Sequence, residues 1–204
     1  MEADFLSEAY WTNRYKEGQT GWDIGYVSTP LKDYFDQLKN QDLRILIPGC
    51  GNSYEAAYLL KLGCKNLTLI DLSKHLTESL QKRLQNNFPP EFGIITGDFF
   101  ELSGTFDLII EQTFFCALDP ELREKYVAKM ASLLSGNGKL VGLLFDKEFT
   151  NNPPFGGNEK QYRQLFNSHF RIKVLEVCYN SIPERKGAEL FLIAEKSDNL
   201  LVTR

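Results

Sequence analysis

Between residues 43 and 145, short apolar runs alternate with longer stretches of helical periodicity, and this alternation restricts the fold more than any other feature of the chain. Residues 43–47, 66–70, 93–96, 106–110 and 139–145 read as buried strands. Residues 53–62 read as a helix ended by Gly63, and Ser73 caps a helix that runs to about residue 87, where Pro89-Pro90 stops it. Asp119-Pro120 opens a third helix to about residue 134, and Gly136-Asn-Gly138 is expected to close it. Strand, helix, strand in strict succession predicts a parallel α/β sheet.

The end of the chain departs from that rhythm. After a helix over residues 158–168, two strand-like runs, 170–179 and 189–195, have only a short Pro- and Gly-containing loop between them. A parallel crossover cannot be made in so few residues, so this pair is antiparallel. A nicotinamide-binding sheet would continue with another βαβ unit instead. The first 42 residues lie outside the sheet. Residues 4–16 predict a helix and Thr29-Pro30 starts a second. The glycine- and aromatic-rich stretch 17–26 between them suits a lid or binding loop.

At 204 residues the chain fits one domain, 1–204, and no window approaches the roughly 18 continuous apolar residues of a membrane span. The start, Met1-Glu-Ala-Asp-Phe-Leu, lacks a signal-peptide pattern. Cys50, Cys64, Cys116 and Cys178 form no CxxC pair or zinc spacing, which suits reduced thiols in a cytoplasm. With only His75 and His169 besides, no metal site is expected. A formal net charge of −4 argues against a nucleic-acid partner, and the lack of a heptad or long apolar patch predicts a monomer.

Gly49-x-Gly51 follows the first strand directly and leads into a helix. Glycines let a backbone turn sharply and approach a ligand, and the free N–H groups of a helix N-terminus favour an anionic group. A dinucleotide fingerprint needs a third glycine three positions on, where this chain has Tyr54. Asp71, with Leu72 beside it, ends the second strand 22 residues after Gly49, where a carboxylate can accept from both hydroxyls of a ribose. The alternative is a tight turn with Asp71 capping the next helix, although Ser73 already supplies a cap. Asp98 and Phe99 follow the third strand, placed to accept from an adenine amine and to pack on its ring, or else to form a polar turn. The loop Glu111-Gln-Thr-Phe114-Phe115-Cys116 follows the fourth strand, where open α/β sheets bind ligands, and should face the reacting group. Gln112, Phe114, Phe115 and Cys116 are its candidate acceptor-side residues, unless the aromatics are simply core. A soft, apolar pocket would desolvate an anionic nucleophile. Cys116 has no evident His base and is not read as a covalent nucleophile.

Together these residues resemble the thiopurine and thiol (halide) S-methyltransferase family, over most of the chain. The resemblance rests on Trp11-Thr-Asn-Arg-Tyr15, Gly21-Trp22-Asp23-Ile-Gly25, Ile47-Pro-Gly-Cys-Gly51, Phe106-Asp-Leu-Ile-Ile-Glu-Gln-Thr-Phe-Phe-Cys-Ala-Leu118 and Asn152-Pro-Pro-Phe155. It implies a class I methyltransferase, Rossmann-like α/β sheet of seven strands, the last pair antiparallel, flanked by helices and carrying an N-terminal helical lid over residues 1–42. The cofactor implied is S-adenosylmethionine (SAM), with S-adenosylhomocysteine as product and a small thiol, halide or thiopurine as acceptor. Carried over by position, Trp11, Tyr15 and Trp22 would close over SAM and Gly49, with Gly51, would contact its amino-acid tail. Asp71 and Leu72 would hold the ribose, Asp98 and Phe99 the adenine, and Glu111 and Gln112 would lie on the cofactor side of the fourth strand. Ser53 stands where the family has a loop glycine, Glu111 where Asp is usual, Tyr15 where Trp is common and Gln112 where an aromatic is common. Those departures bear on the acceptor. A methyltransferase for another metabolite or a macromolecule, or a SAM-binding module without catalysis, are the competing readings.

Overall fold

The computed structural model describes residues 7–90 and 92–197. The chain divides into two compact units, Met1–Leu102 and Ser103–Arg204. Seven strands make a mixed α/β sheet with its last pair antiparallel, as the sequence predicts.

In the first unit the elements are α1 (Glu8–Lys16), α2 (Thr29–Phe35), β1 (Arg44–Pro48), α3 (Tyr54–Lys61), β2 (Asn66–Asp71), α4 (Lys74–Gln85) and β3 (Phe92–Thr96). Its strands are all parallel and lie in the order β3-β2-β1. Ile45, Leu46, Ile47 and Pro48 are all buried, the continuous apolar run expected where helices cover both faces of a parallel strand. Ser7 caps α1 by accepting from the Tyr10 N–H at 3.1 Å, and Ser73 caps α4 by accepting from Leu76 N–H at 3.3 Å. The part of the first predicted helix before residue 7 lies outside the described residues. Stretch 17–26, expected to be a lid or binding loop, contains backbone-bonded turns, such as the Asp23 N–H donating to the Thr20 carbonyl at 2.8 Å.

The second unit contains β4 (Phe106–Gln112), α5 (Arg123–Leu133), β5 (Leu134–Phe145), α6 (Glu159–Phe166), β6 (Phe170–Val177) and β7 (Glu189–Lys196). Its strand order is β4-β5-β7-β6. β4 pairs with β5 in parallel, whereas β7 runs antiparallel to both β5 and β6. Ile109, Ile110, Leu140, Val141, Leu190 and Leu192 lose essentially all solvent contact, each worth about 1.5–3 kcal/mol in transfer. Asn158 and Gln161 form a reciprocal capping box at the start of α6.

Two sequence expectations are corrected here. Helix α5 ends at Leu133 and β5 begins at the next residue, so Gly136-Asn-Gly138 does not close the helix. Phe106 pairs with Leu134 while Leu108 pairs with Lys139, so the glycine pair is spent on a bulge that lets β5 start early and still fall into register. Strand β4 also extends two residues beyond the predicted end at Ile110, taking Glu111 and Gln112 out of the loop. Among the described residues no helix is long and apolar enough to cross a membrane, and no group of His, Cys, Asp or Glu is placed to hold a metal ion.

Candidate functional site

In the first unit, the turn between β1 and α3 is built from left-handed residues. Gly49, Gly51 and Ser53 have φ of 53°, 52° and 46°, a region that glycine enters without penalty and serine does not. The Cys50 N–H donates to the Ile70 carbonyl at 3.1 Å, tying the turn to the end of β2. Asp71 stands at that end. One carboxylate oxygen accepts from the Gly51 N–H at 3.1 Å and the other from the Ser73 N–H at 2.9 Å. The side chain therefore joins the glycine turn to the start of α4. It takes up a helix-start N–H, as the capping alternative expects. Burial raises its pKa, partly offset by the N–H donors of Ser73, Gly51 and Leu72. Leu72 itself is half-buried.

Trp11, Tyr15 and Trp22 come together, with the Tyr15 hydroxyl over this turn. The Trp22 ring stands edge-on to Trp11 at 5.7 Å and to Tyr15 at 5.8 Å. The Trp22 side chain hydrogen-bonds the Tyr15 hydroxyl. Burial raises the Tyr15 pKa, and the charge of Asp71 adds to it, so the phenol stays protonated. A Cβ placed on Gly51 would stand 2.9 Å from the Tyr15 hydroxyl oxygen, so only glycine fits under it. Helix α1 is held down separately. Thr12 Oγ1 donates to a Glu8 carboxylate oxygen at 2.7 Å and shares a 2.6 Å hydrogen bond with the fully buried Ser73 hydroxyl. Since Thr12 spends its one proton on Glu8, Ser73 is the donor of that pair.

Asp98 and Phe99 are less available. Asp98 is exposed and accepts from the Phe100 N–H at 2.8 Å, capping a short 3-10 turn, while Phe99 is buried against Phe100. The structure thus shows the polar-turn geometry at this position, with Asp98 still open to solvent.

The second unit holds Glu111, Gln112, Phe114, Phe115 and Cys116. Glu111 is 1% exposed. One of its oxygens accepts from the Phe114 and Phe115 N–H groups at 2.8 and 2.9 Å, and the other from the Tyr126 hydroxyl. Burial lifts its pKa to about 7 against the pull of those donors. Its carboxylate is thus engaged by its own loop, where the sequence reading gave it to a cofactor. Phe115 is core, packed on Tyr126, Tyr162 and Phe166, whereas Phe114 and Gln112 are half-buried. Cys116 is buried and its thiol donates to the Thr113 carbonyl at 3.3 Å. Burial and the neighbouring Glu111 push it up to about 12, so it stays a thiol at neutral pH and is no nucleophile. The Phe155 N–H donates to the Cys116 carbonyl at 2.6 Å and Arg123, above the Phe115 ring, donates to the Gly156 carbonyl at 2.7 Å, so residues 155–156 brace the loop.

Sequence reasoning missed Asp23, Asn52, Tyr54 and Arg83, which form a polar cluster on the glycine turn. It also missed Tyr126. The Gly-Trp-Asp-Ile-Gly stretch was visible, but its Asp23 carries no sequence signal of its partner.

A family model described as thiopurine S-methyltransferase matches residues 6–201. The chain is 29% identical over 190 residues to a probable thiol methyltransferase 2 of Arabidopsis thaliana, covering 90% of this chain and 83% of that one. It is 30% identical over 174 residues to a thiopurine S-methyltransferase of Pseudomonas syringae pv. tomato, covering 76% of each. Among solved structures, 1,6-didemethyltoxoflavin-N1-methyltransferase of Burkholderia thailandensis, with bound S-adenosylhomocysteine, superposes with a TM-score of 0.78 at 18% identity, covering 94% of this chain and 87% of that one.

Proposed function

The chain belongs to the thiopurine S-methyltransferase family, and from that premise we propose that its acceptor is a small thiol, which attacks as its thiolate. It is a SAM-dependent methyltransferase that acts on a small sulfur nucleophile. The observation that carries the site reading is Asp71, shared between Gly51 and Ser73 at the carboxyl end of β2.

The residues present fit SAM. The left-handed turn leaves no Cβ at Gly49 or Gly51, and the N-terminus of α3 beside it favours the carboxylate of the amino-acid tail. Asp71, with Leu72 alongside, would accept from the ribose hydroxyls, and Asp98 and Phe99 would meet the adenine. Trp11, Tyr15 and Trp22 would exclude water from the nucleoside. When bound, SAM supplies a sulfonium whose methyl group is electrophilic.

The acceptor loses its proton to solvent before it reacts. A free thiol has a pKa near 8.5, so a few per cent is thiolate at neutral pH. The new sulfur–carbon bond forms as the sulfonium–methyl bond breaks, and the electron pair leaves with the departing thioether. No side-chain base is needed. Catalysis comes from alignment, which can supply about 7–11 kcal/mol over free encounter. In the second unit, half-buried Phe114 offers an apolar face with Gln112 at its edge, backed by the buried Phe115 and Cys116 and suited to a weakly hydrated anion.

Calorimetry with SAM followed by product detection over a panel of small thiols, iodide and thiopurines tests this. The expected result is SAM binding, with turnover on thiols whose rate rises with pH in step with thiol ionisation. A rate indifferent to ionisation would refute the thiolate step. Binding with no turnover on any acceptor would refute the acceptor proposal and favour a binding module.

A further inference from the structure

Asp23 lies in the loop between α1 and α2, directly after Trp22, and is half-buried. One of its carboxylate oxygens accepts from the Gly25 N–H at 2.8 Å, which fixes the loop's own turn. The other accepts from the Asn52 side-chain amide and, at 3.5 Å, faces the Tyr54 hydroxyl. Asn52 is the residue after Gly51, and Tyr54 opens α3. Asn52 is gripped from its other end as well, because Arg83 of α4 donates to its carbonyl while the guanidinium lies 5.5 Å over the Tyr54 ring. A single carboxylate thus joins the aromatic segment to the turn it covers. Trp22 is its chain neighbour, Trp22 packs on Trp11 and Tyr15, and the Tyr15 hydroxyl sits over Gly51.

The contacts that dock α1, Thr12 with Ser73 and Glu8 with the Lys74 N–H, lie at the other end of this segment and reach α4 rather than the glycine turn. Breaking the Asp23 contact would therefore release the loop bearing Trp22 while leaving α1 seated.

We propose that Asp23 is a positioning residue, a latch that holds the aromatic segment on the glycine turn and sets the rate at which the nucleoside ligand leaves. It touches no ligand atom and acts through Trp22 and Asn52. The proposal rests on reading the glycine turn as the SAM site.

The test uses the full chain and S-adenosylhomocysteine as probe. In Asp23→Ala the dissociation rate and the KM for SAM rise about tenfold, the scale of one charge-assisted hydrogen bond, while kcat changes less than about twofold. The tryptophan emission of unliganded Asp23→Ala shifts to the red as Trp22 is released, a readout that needs no activity. Asn52→Ala removes the same contact from the other side and gives the same changes, and the double variant adds nothing further. Asp23→Asn, which keeps one acceptor oxygen, falls between Asp23→Ala and the parent. A lowered melting temperature with unchanged dissociation, KM and emission would overturn the latch, as would full additivity of the two alanine variants. If Asp23→Ala does not fold, Asn52→Ala decides by the same readouts. Absence of binding by the parent protein would instead defeat the reading of the turn, and the emission shift would then still decide whether Asp23 holds the segment.

Discussion

Replacing Ser53 with glycine should make the protein more stable, although it deletes a buried side chain. Ser53 holds φ 46° and ψ 59°, where its Cβ crowds the backbone at a cost of roughly 1–2 kcal/mol. Its hydroxyl is buried without a hydrogen-bond partner and caps nothing, which costs a further 1–3 kcal/mol or about that. Against these, glycine frees the unfolded chain by roughly 0.4–1 kcal/mol. The balance is close to 3 kcal/mol in favour of the variant, or a rise of roughly 6–12 °C in melting temperature for a chain of this size. Ser53→Ala separates the two causes, because alanine removes the orphan hydroxyl and keeps the strained backbone. It should capture about half of the gain. Thermal and urea unfolding of the three proteins measure this. A glycine variant no more stable than the parent would refute the reasoning, and equal gains from alanine and glycine would remove the backbone strain from it.

Three further outcomes follow from the same structure. Glu111 has a pKa near 7 when folded against an ordinary 4.5, so the folded state holds its proton where the unfolded chain has lost it. Stability from this group is therefore greatest below about pH 4.5 and falls as pH rises to about 7, by up to roughly 3 kcal/mol. Glu111→Gln should flatten that part of the profile, read from urea midpoints, and a slope that survives it belongs to another group. Asp71→Ala should weaken SAM binding about 100-fold, as two hydroxyl-accepting directions on a charged group are lost, and an isotherm within threefold of the parent would take the ribose away from Asp71. Gly51→Ala, at φ 52° and with its new methyl 2.9 Å from the Tyr15 hydroxyl, should cost about 1–3 kcal/mol and displace Tyr15. Its melting temperature and tryptophan emission should both fall away from the parent's, and an unmoved emission spectrum would contradict the Tyr15 contact.

The parallel strands were legible because strands buried on both faces read as unbroken apolar runs, as at Ile45, Leu46 and Ile47. The antiparallel end was legible from loop length alone. Gly136-Asn-Gly138 misled because its residue types favour a turn, and only the pairing of Phe106 and Leu108 with Leu134 and Lys139 makes it a bulge. Glu111 read as loop because a carboxylate is seldom buried, and its partner Tyr126 lies 15 residues further on, at no spacing a local pattern reports. Asp23 and Asn52 are 29 residues apart, and neither residue type implies the other. Trp11, Tyr15 and Trp22 were singled out through the family resemblance, whereas the polar cluster of Asp23, Asn52, Tyr54 and Arg83 has no motif.

Asp71 has one more consequence. Its oxygens engage the Gly51 and Ser73 amides, so those two N–H groups should exchange slowly with solvent deuterium. Both bonds are made within the chain, so the fold itself supplies the order of this turn. On the reading of this turn as the SAM site, binding carries little conformational entropy here, and uptake should run at a rate set by encounter rather than by any rearrangement of the turn itself.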